Sequence, residues 1–334
     1  MEHLNGENVI FARHGGPYNR PVDMSVLFLG TAGAAPSAHR GAPGHLVRRG
    51  GDRILVDCGE GTQRQLLRSG VGLVDVDDIL ITHCHADHIL GLPGILKTFA
   101  LRAREAPLRL YGPAGLPELM AALRPVIGRL TYRVEIEALA PGDAVARDGY
   151  RVHAFATDHH VASVGYAFVE DERPGRFDID AARQMGVPEG PMFGQLQHGE
   201  AVTLESGATV PPDAVVGEAR PGRTLVFSGD TRPCKELFQA CLGADVLVHE
   251  ATFLEEEADR AAETGHTTAL QAGRLAREAG VRLLALTHIS TRHPAREILA
   301  EARSEFPAAV LPRDFDLIEV PLAERGEPHL IKAA

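Results

Sequence analysis

Short apolar runs, separated by polar turns and amphipathic stretches, recur along the chain in the order expected of a layered α/β protein. They predict strands at 26–29, 54–56, 79–81, 152–155, 224–227, 246–248 and 283–286. One helix is strongly signalled. Thr268 with Gln271 forms a capping-box pattern, Ala272, Leu275, Ala276 and Ala279 make a core stripe, and Gly280 ends it. Between 172 and 218 the apolar period fades and Gly and Pro accumulate, which predicts a long inserted arm rather than filler. Residues 1–24 read as a polar lead-in, leaving 25–334 as the main unit with the arm inserted in it.

Polar residues fall where this pattern gives them chemical meaning. The strand at 79–81 runs into His83-Cys84-His85-Ala86-Asp87-His88, and four metal-binding side chains in six residues can surround a point that a straight element cannot. Other predicted strands end in Asp158-His159-His160, Ser228-Gly229-Asp230, His249-Glu250-Ala251-Thr252 and Thr287-His288. A lone histidine at a strand end is usually a satisfied structural residue. Four such ends beside the 83–88 run predict convergence on one site, because ligands in open α/β sheets collect beyond the strands' carboxyl ends.

Composition narrows the partners. A net charge of −11 excludes a diffuse nucleic-acid-binding surface, so contact with a polyanion requires a local basic patch. Arg40, Arg48, Arg49, Arg64 and Arg68 offer such a patch or an ordinary solvated face. Only three of 34 basic residues are lysines, which reads as lineage bias. Four cysteines without paired spacing suggest free thiols in a reducing compartment. The chain lacks an apolar run of about 18 residues and a secretory-type leader, so the expectation is a cytoplasmic protein with no membrane partner.

The motifs resemble the metallo-β-lactamase superfamily, and within it the ribonuclease Z family, over about 25–321. The matches are Leu29-Gly30-Thr31, the stretch 57–65, the 82–88 motif, 91–94, Tyr111-Gly112-Pro113, His159 ahead of Gly165-Tyr166, 186–191, 229–233, 249–253, 266–269 and 287–290. The resemblance implies an αβ/βα sandwich with a projecting Gly/Pro-rich arm and a centre of two Zn²⁺ ions per chain, with Mn²⁺ or Fe²⁺ as substitutes. His83, His85 and His159 would hold one ion, Asp87, His88 and His288 the other, and Asp230 would bridge them. Two ions about 3.5–4 Å apart acidify a shared water to a pKa of roughly 7 and stabilise both attacking and leaving oxygens. Asp87 would accept a proton, and His266, oriented by Glu250, would protonate the departing 3′ oxygen.

The implied activity is endonucleolytic removal of the 3′ trailer from precursor tRNA, after the discriminator base, by a homodimer. Arg40, Arg292, Gly190 and Pro191 would contact substrate. Some positions depart from the family pattern. Arg40 is followed by Gly41 rather than Asn, and Arg292 by His293 rather than Tyr. The arm has three arginines against eight acids and no lysine, with Gln195 and Gln197 near positions where relatives carry lysine. That acidic arm favours an alternative, a phosphodiesterase of the same fold acting on small or cyclic phosphodiesters. A catalytically silent RNA-binding or scaffold relative is a third reading, opposed by retention of the full ligand set.

Overall fold

The computed structural model describes residues 24–73 and 76–333; the lead-in at 1–24 therefore lies, apart from Met24, outside the described residues. Two β-sheets pack face to face. The first has eight strands, in spatial order His329–Ile331, Leu317–Glu319, Met24–Gly30, Gly44–Arg49, Asp52–Val56, Asp78–Leu80, Leu108–Gly112 and Val134–Ala138. The second has seven: Ala309–Val310, Leu283–Thr287, Val246–Glu250, Thr224–Phe227, Val164–Glu170, Tyr150–Ala156 and Ala144–Arg147.

The two-residue period of a strand explains the layering. In Met24–Gly30, Met24, Val26 and Phe28 face the space between the sheets and join Tyr150, Tyr166 and Phe227 there. Leu27 and Leu29 face the other way, onto Leu92, Ile95 and Leu96 of the helix Leu92–Leu101. The second sheet repeats this: Val246 and Val248 point inward, while Leu247 meets Ala272, Leu275 and Ala276 of the helix Ala269–Glu278. Strands covered on both faces need no polar side, so the runs are almost wholly apolar. The result is the αβ/βα sandwich of the metallo-β-lactamase fold. The helix Ala269–Glu278 carries the complete capping box, with Thr268 Oγ1 accepting from Gln271 N and the Gln271 side chain accepting from Thr268 N.

Residues 172–218 differ from a Gly/Pro-rich arm without apolar organisation. They include the helices Ile179–Gln184 and Pro191–Gln197 and a hairpin of Val202–Thr203 with Thr209–Val210. Ala182, Val187, Leu196, Val202, Val210 and Val215 are buried together as a separate small core. The insertion leaves one antiparallel pair, between Val164–Glu170 and Thr224–Phe227. At its root Arg223 Nε and Nη2 donate to Glu170 Oε2 and Oε1 at 2.7 and 2.6 Å, and Arg49 Nε donates to Oε1 at 2.9 Å. One step further out Arg173 bridges Arg220, and both guanidinium groups bind Glu324 at 2.7 and 2.9 Å.

Candidate metal centre

The chain turns sharply after the strand Asp78–Leu80. His85 is extended (φ −67°, ψ 153°) and caps the single helical turn Ala86–Ile89, which carries Asp87 and His88. Two glycine-permitted approaches, at Gly59 and Gly91, hold this turn against the 57–59 segment; at Gly59 a Cβ would stand 2.2 Å from the Asp87 carbonyl oxygen. From the second sheet come His159, Asp230, Glu250 and His288, each just past or at the end of a strand. His288 is held in the left-handed region at φ 55°, a conformation that a non-glycine residue keeps only when its surroundings over-determine it.

The structure brings the seven expected ligands together in overlapping groups: His83, His85 and His159; His83, His88 and Asp230; Asp87, His88 and His288. Within each, the ligand atoms lie within 4.8 Å of one another. His159 Nε2 stands 3.2 Å from His85 Nδ1, and Asp230 Oδ2 is 3.2–3.6 Å from the Nε2 atoms of His83, His88 and His288. Neighbouring His160 turns away, its Nε2 2.8 Å from the Glu263 carbonyl oxygen. The geometry therefore distinguishes the two adjacent histidines.

The hydrogen bonds behind the cluster fix which nitrogen carries the proton. His88 Nδ1 donates to Asp57 Oδ2 at 2.8 Å, and His159 Nδ1 donates to the Gly265 carbonyl oxygen at 2.8 Å. Thr82 Oγ1 gives its proton to Asp57, so at 3.1 Å it accepts from His83 Nδ1. Thr252 Oγ1 gives its proton to Glu250 Oε2 at 2.6 Å and accepts from His288 Nδ1 at 2.8 Å. Each ring is thereby set in the tautomer with a bare Nε2 lone pair facing inward. The Nε2 atoms of His83 and His88 are buried and have no hydrogen-bond partner. Buried, unpaired and basic nitrogens grouped with carboxylates fit a divalent cation, and the N/O donor set suits Zn²⁺, Mn²⁺ or Fe²⁺.

Charge balance points the same way. Burial opposes ionisation of Asp230, yet His288, His88 and His83 more than reverse this and hold its carboxyl well below the usual range. Asp87 is likewise opposed by burial and drawn down to about 2 by His288 and His88. The enclosed carboxylates demand positive charge. Ala34 N also donates to Asp87 Oδ2 at 3.0 Å.

Beside the cluster, Glu250 is fully buried. Its Oε1 accepts from Thr231 N at 2.8 Å and from His266 Nδ1 at 2.9 Å. Burial lowers the proton affinity of His266, but the Glu250 charge and hydrogen bond outweigh it and raise the pKa to about 9. A divalent ion at the adjoining groups opposes that rise. His266 Nδ1 lies 4.0 Å from Asp230 Oδ2, so a proton donor stands at the edge of the cluster.

The expected substrate residues are placed less simply. Arg40 is tied inward, its Nη1 donating to Thr31 Oγ1 at 2.6 Å and to the Pro312 carbonyl oxygen at 2.9 Å, so it shapes the 31–43 loop. Arg292 is exposed and paired with Glu257, which His293 Nε2 also contacts at 2.5 Å. Gly190 and Pro191 stand apart, exposed at the start of the arm's second helix. The basic patch does not assemble as a whole: Arg48 is buried and Arg49 belongs to the arm's root, leaving Arg64 and Arg68 exposed. Sequence reasoning missed Asp57, Thr82 and Thr252 as supports. Asp57 was within reach, because it closes a predicted strand inside a recognised motif.

The Metallo-beta-lactamase superfamily model matches residues 44–249. The chain is 49% identical to ribonuclease Z of Myxococcus xanthus over 90% of its own length and 99% of that protein's. It is 46% identical to ribonuclease Z of Haloferax volcanii, over 91% of this chain and 97% of that one. The crystal structure of the short form of human tRNase Z superimposes with a TM-score of 0.66 at 27% identity, over 89% of this chain and 100% of that one. With that sandwich and that array of inward-facing nitrogens, the chain belongs to the ribonuclease Z family of the metallo-β-lactamase superfamily.

Proposed function

We propose that the protein is a metal-dependent endoribonuclease that removes the 3′ trailer of precursor tRNA, cutting after the discriminator base and leaving a 3′-hydroxyl on the tRNA. The observation that carries this reading is the joint placement of the His/Asp cluster and the Glu250–His266 pair, within a chain nearly half identical to ribonucleases Z. The overlapping groups support two ions: one on His83, His85 and His159, one on Asp87, His88 and His288, with Asp230 shared. Zn²⁺ suits three-imidazole and imidazole-carboxylate sets of this kind. When bound, such ions supply Lewis acidity toward the phosphodiester and acidify water.

The chain's own residues do the rest. Asp57, Thr82 and Thr252 orient the imidazoles, Asp87 accepts a proton, and Glu250 keeps His266 oriented and protonated to donate to the departing 3′ oxygen. Arg292 would reach substrate by exchanging Glu257 for phosphate, and Gly190-Pro191 would meet it through backbone groups; Arg40 would act by shaping its loop. The family resemblance further supports a homodimer working in the cytoplasm. Among the described residues no helix is long and apolar enough to cross a membrane.

Incubation with a 3′-extended precursor tRNA and mapping of the cut tests the reading. A single cut after the discriminator base is expected, and an intact precursor alongside hydrolysis of small phosphodiesters overturns it. The acidic, lysine-free arm and the net charge of −11 are the observations favouring that second reading.

A further inference from the structure

Beneath the His/Asp cluster, on the side facing the interior of the sandwich, lies a small cavity of about 20 Å³. Its wall includes His45, Thr287, Asp230 and Glu250, together with the apolar side chains of Phe227 and Val248. Of the seven ligands, His88, Asp230 and His288 also line it, while Asp87, His83, His85 and His159 do not, so it adjoins the cluster from behind. Besides His88 Nε2, already placed in the cluster, two atoms of its lining residues are buried without a hydrogen-bond partner: His45 Nδ1 and Thr287 Oγ1. Their residues are 4% and 9% exposed. Such groups are rare in folded proteins, and each one calls for a partner.

His45 has little freedom to find a partner elsewhere. Its ring stacks on Phe227 at 5.8 Å and meets Phe28 edge-on at 5.2 Å. Burial, with the nearby charges of His88 and His288, pushes its pKa down to about 3, so it is neutral and carries one N–H and one lone pair. A cavity of about 10–15 Å³ suffices for one water, provided two to four polar groups line it. Both conditions are met here, and a dry cavity of this size is normally apolar.

We propose that this cavity is a binding site for a single internal water that links His45 Nδ1 and Thr287 Oγ1 to the carboxylates of Asp230 and Glu250. A water donates two hydrogen bonds and accepts two, which matches two acceptor carboxylates and two groups able to donate. Through it, His45 and Thr287 become positioning residues. They hold from behind the carboxylate shared by both groups of ligands and the one that orients His266. This second step rests on the reading of the cluster as a metal centre, whereas the water site itself does not.

The test is a high-resolution crystal structure of the full chain with and without zinc, for the wild type and for Thr287→Val and Thr287→Ser. The expected result is one peak in both wild-type forms, within hydrogen-bonding distance of His45 Nδ1 and Thr287 Oγ1. Thr287→Val keeps the side-chain shape, loses the peak and weakens zinc binding about 10–100-fold, measured by competition with a chelator. Thr287→Ser restores both. A dry cavity, or a peak with the short contacts of a metal ion, overturns the water site. Thr287→Val binding zinc as tightly as the wild type overturns the positioning role. A wild-type chain that binds no zinc yet keeps the peak overturns the metal centre alone.

Discussion

At the scale of single residues, the cluster is defined as much by what stands behind each imidazole as by the imidazoles. Asp57, Thr82, Gly265 and Thr252 take the Nδ1 protons of His88, His83, His159 and His288, which leaves the opposite nitrogens bare. Asp230 touches three of those rings. Asp230→Ala is therefore expected to abolish phosphodiester hydrolysis and to lower bound metal, read by elemental analysis. Full metal content with near-normal activity would remove Asp230 from the centre. His266→Ala should keep the metal and slow RNA cleavage by about 10²–10⁴-fold, the usual effect of losing a general acid. Its deficit should shrink on a p-nitrophenyl phosphodiester, whose leaving group needs no proton; an equal loss on both substrates assigns His266 a structural role. The inward-facing residues were legible because their types and positions at strand ends are chemically unusual. Thr82 and Thr252 were not, since a threonine at a strand end becomes informative only when the fold sets it beside a ring nitrogen.

At the scale of elements, several strands with unbroken apolar runs announced themselves, whereas strands that mix polar residues into the run did not. Residues 225–227 and 246–248 are continuous apolar runs because both faces are covered. Val134–Ala138 is an edge strand with exposed glutamates, and Gly44–Arg49 mixes His and Arg with its apolar positions, so neither carries a clear period. The arm's core escaped notice for a related reason: Val187, Leu196, Val202, Val210 and Val215 are spaced too widely for any regular signal. Its root carries a pH prediction. Burial opposes ionisation of Glu170, but Arg223 and Arg49 prevail and bring its carboxyl down to about 2 from an unfolded value of 4.5. That stabilisation is present above about pH 4.5 and is lost as pH falls through about 2. Glu170→Gln should destabilise the protein at pH 7 by about 3–5 kcal/mol in denaturant unfolding, because it leaves buried Arg223 underpaired. The difference from wild type should narrow in acid; a constant difference from pH 7 to pH 2 refutes the assignment. Replacing 175–215 with a short Gly/Ser linker should leave small-phosphodiester hydrolysis intact and raise KM for precursor tRNA, because the arm contributes no residue to the cluster. Unchanged tRNA processing by that variant would separate the arm from substrate binding.

At the scale of the whole molecule, a net charge of −11 must coexist with a polyanionic substrate. Arg49 is spent on the arm's root, Arg40 on its loop and Arg48 is buried, so of the expected patch only Arg64 and Arg68 remain exposed to neutralise phosphate. The expected outcome is a shallow dependence of precursor binding on salt, with a slope equivalent to only a few phosphate contacts. A steep slope, measured by titration between low and moderate ionic strength, would locate a basic surface that this chain does not otherwise display. With a shallow slope, shape and backbone contacts supply the remaining affinity. The arm's construction bears on how such a chain changes over generations. It leaves and re-enters through two adjacent antiparallel strands, is closed at the neck by Glu170 and Arg223, and buries its own valines. An inherited change in length, charge or sequence beyond that neck and the Arg173–Glu324 pair therefore meets neither sheet directly. Lineages can rewrite what the enzyme grips while the machinery that cuts is passed on unaltered.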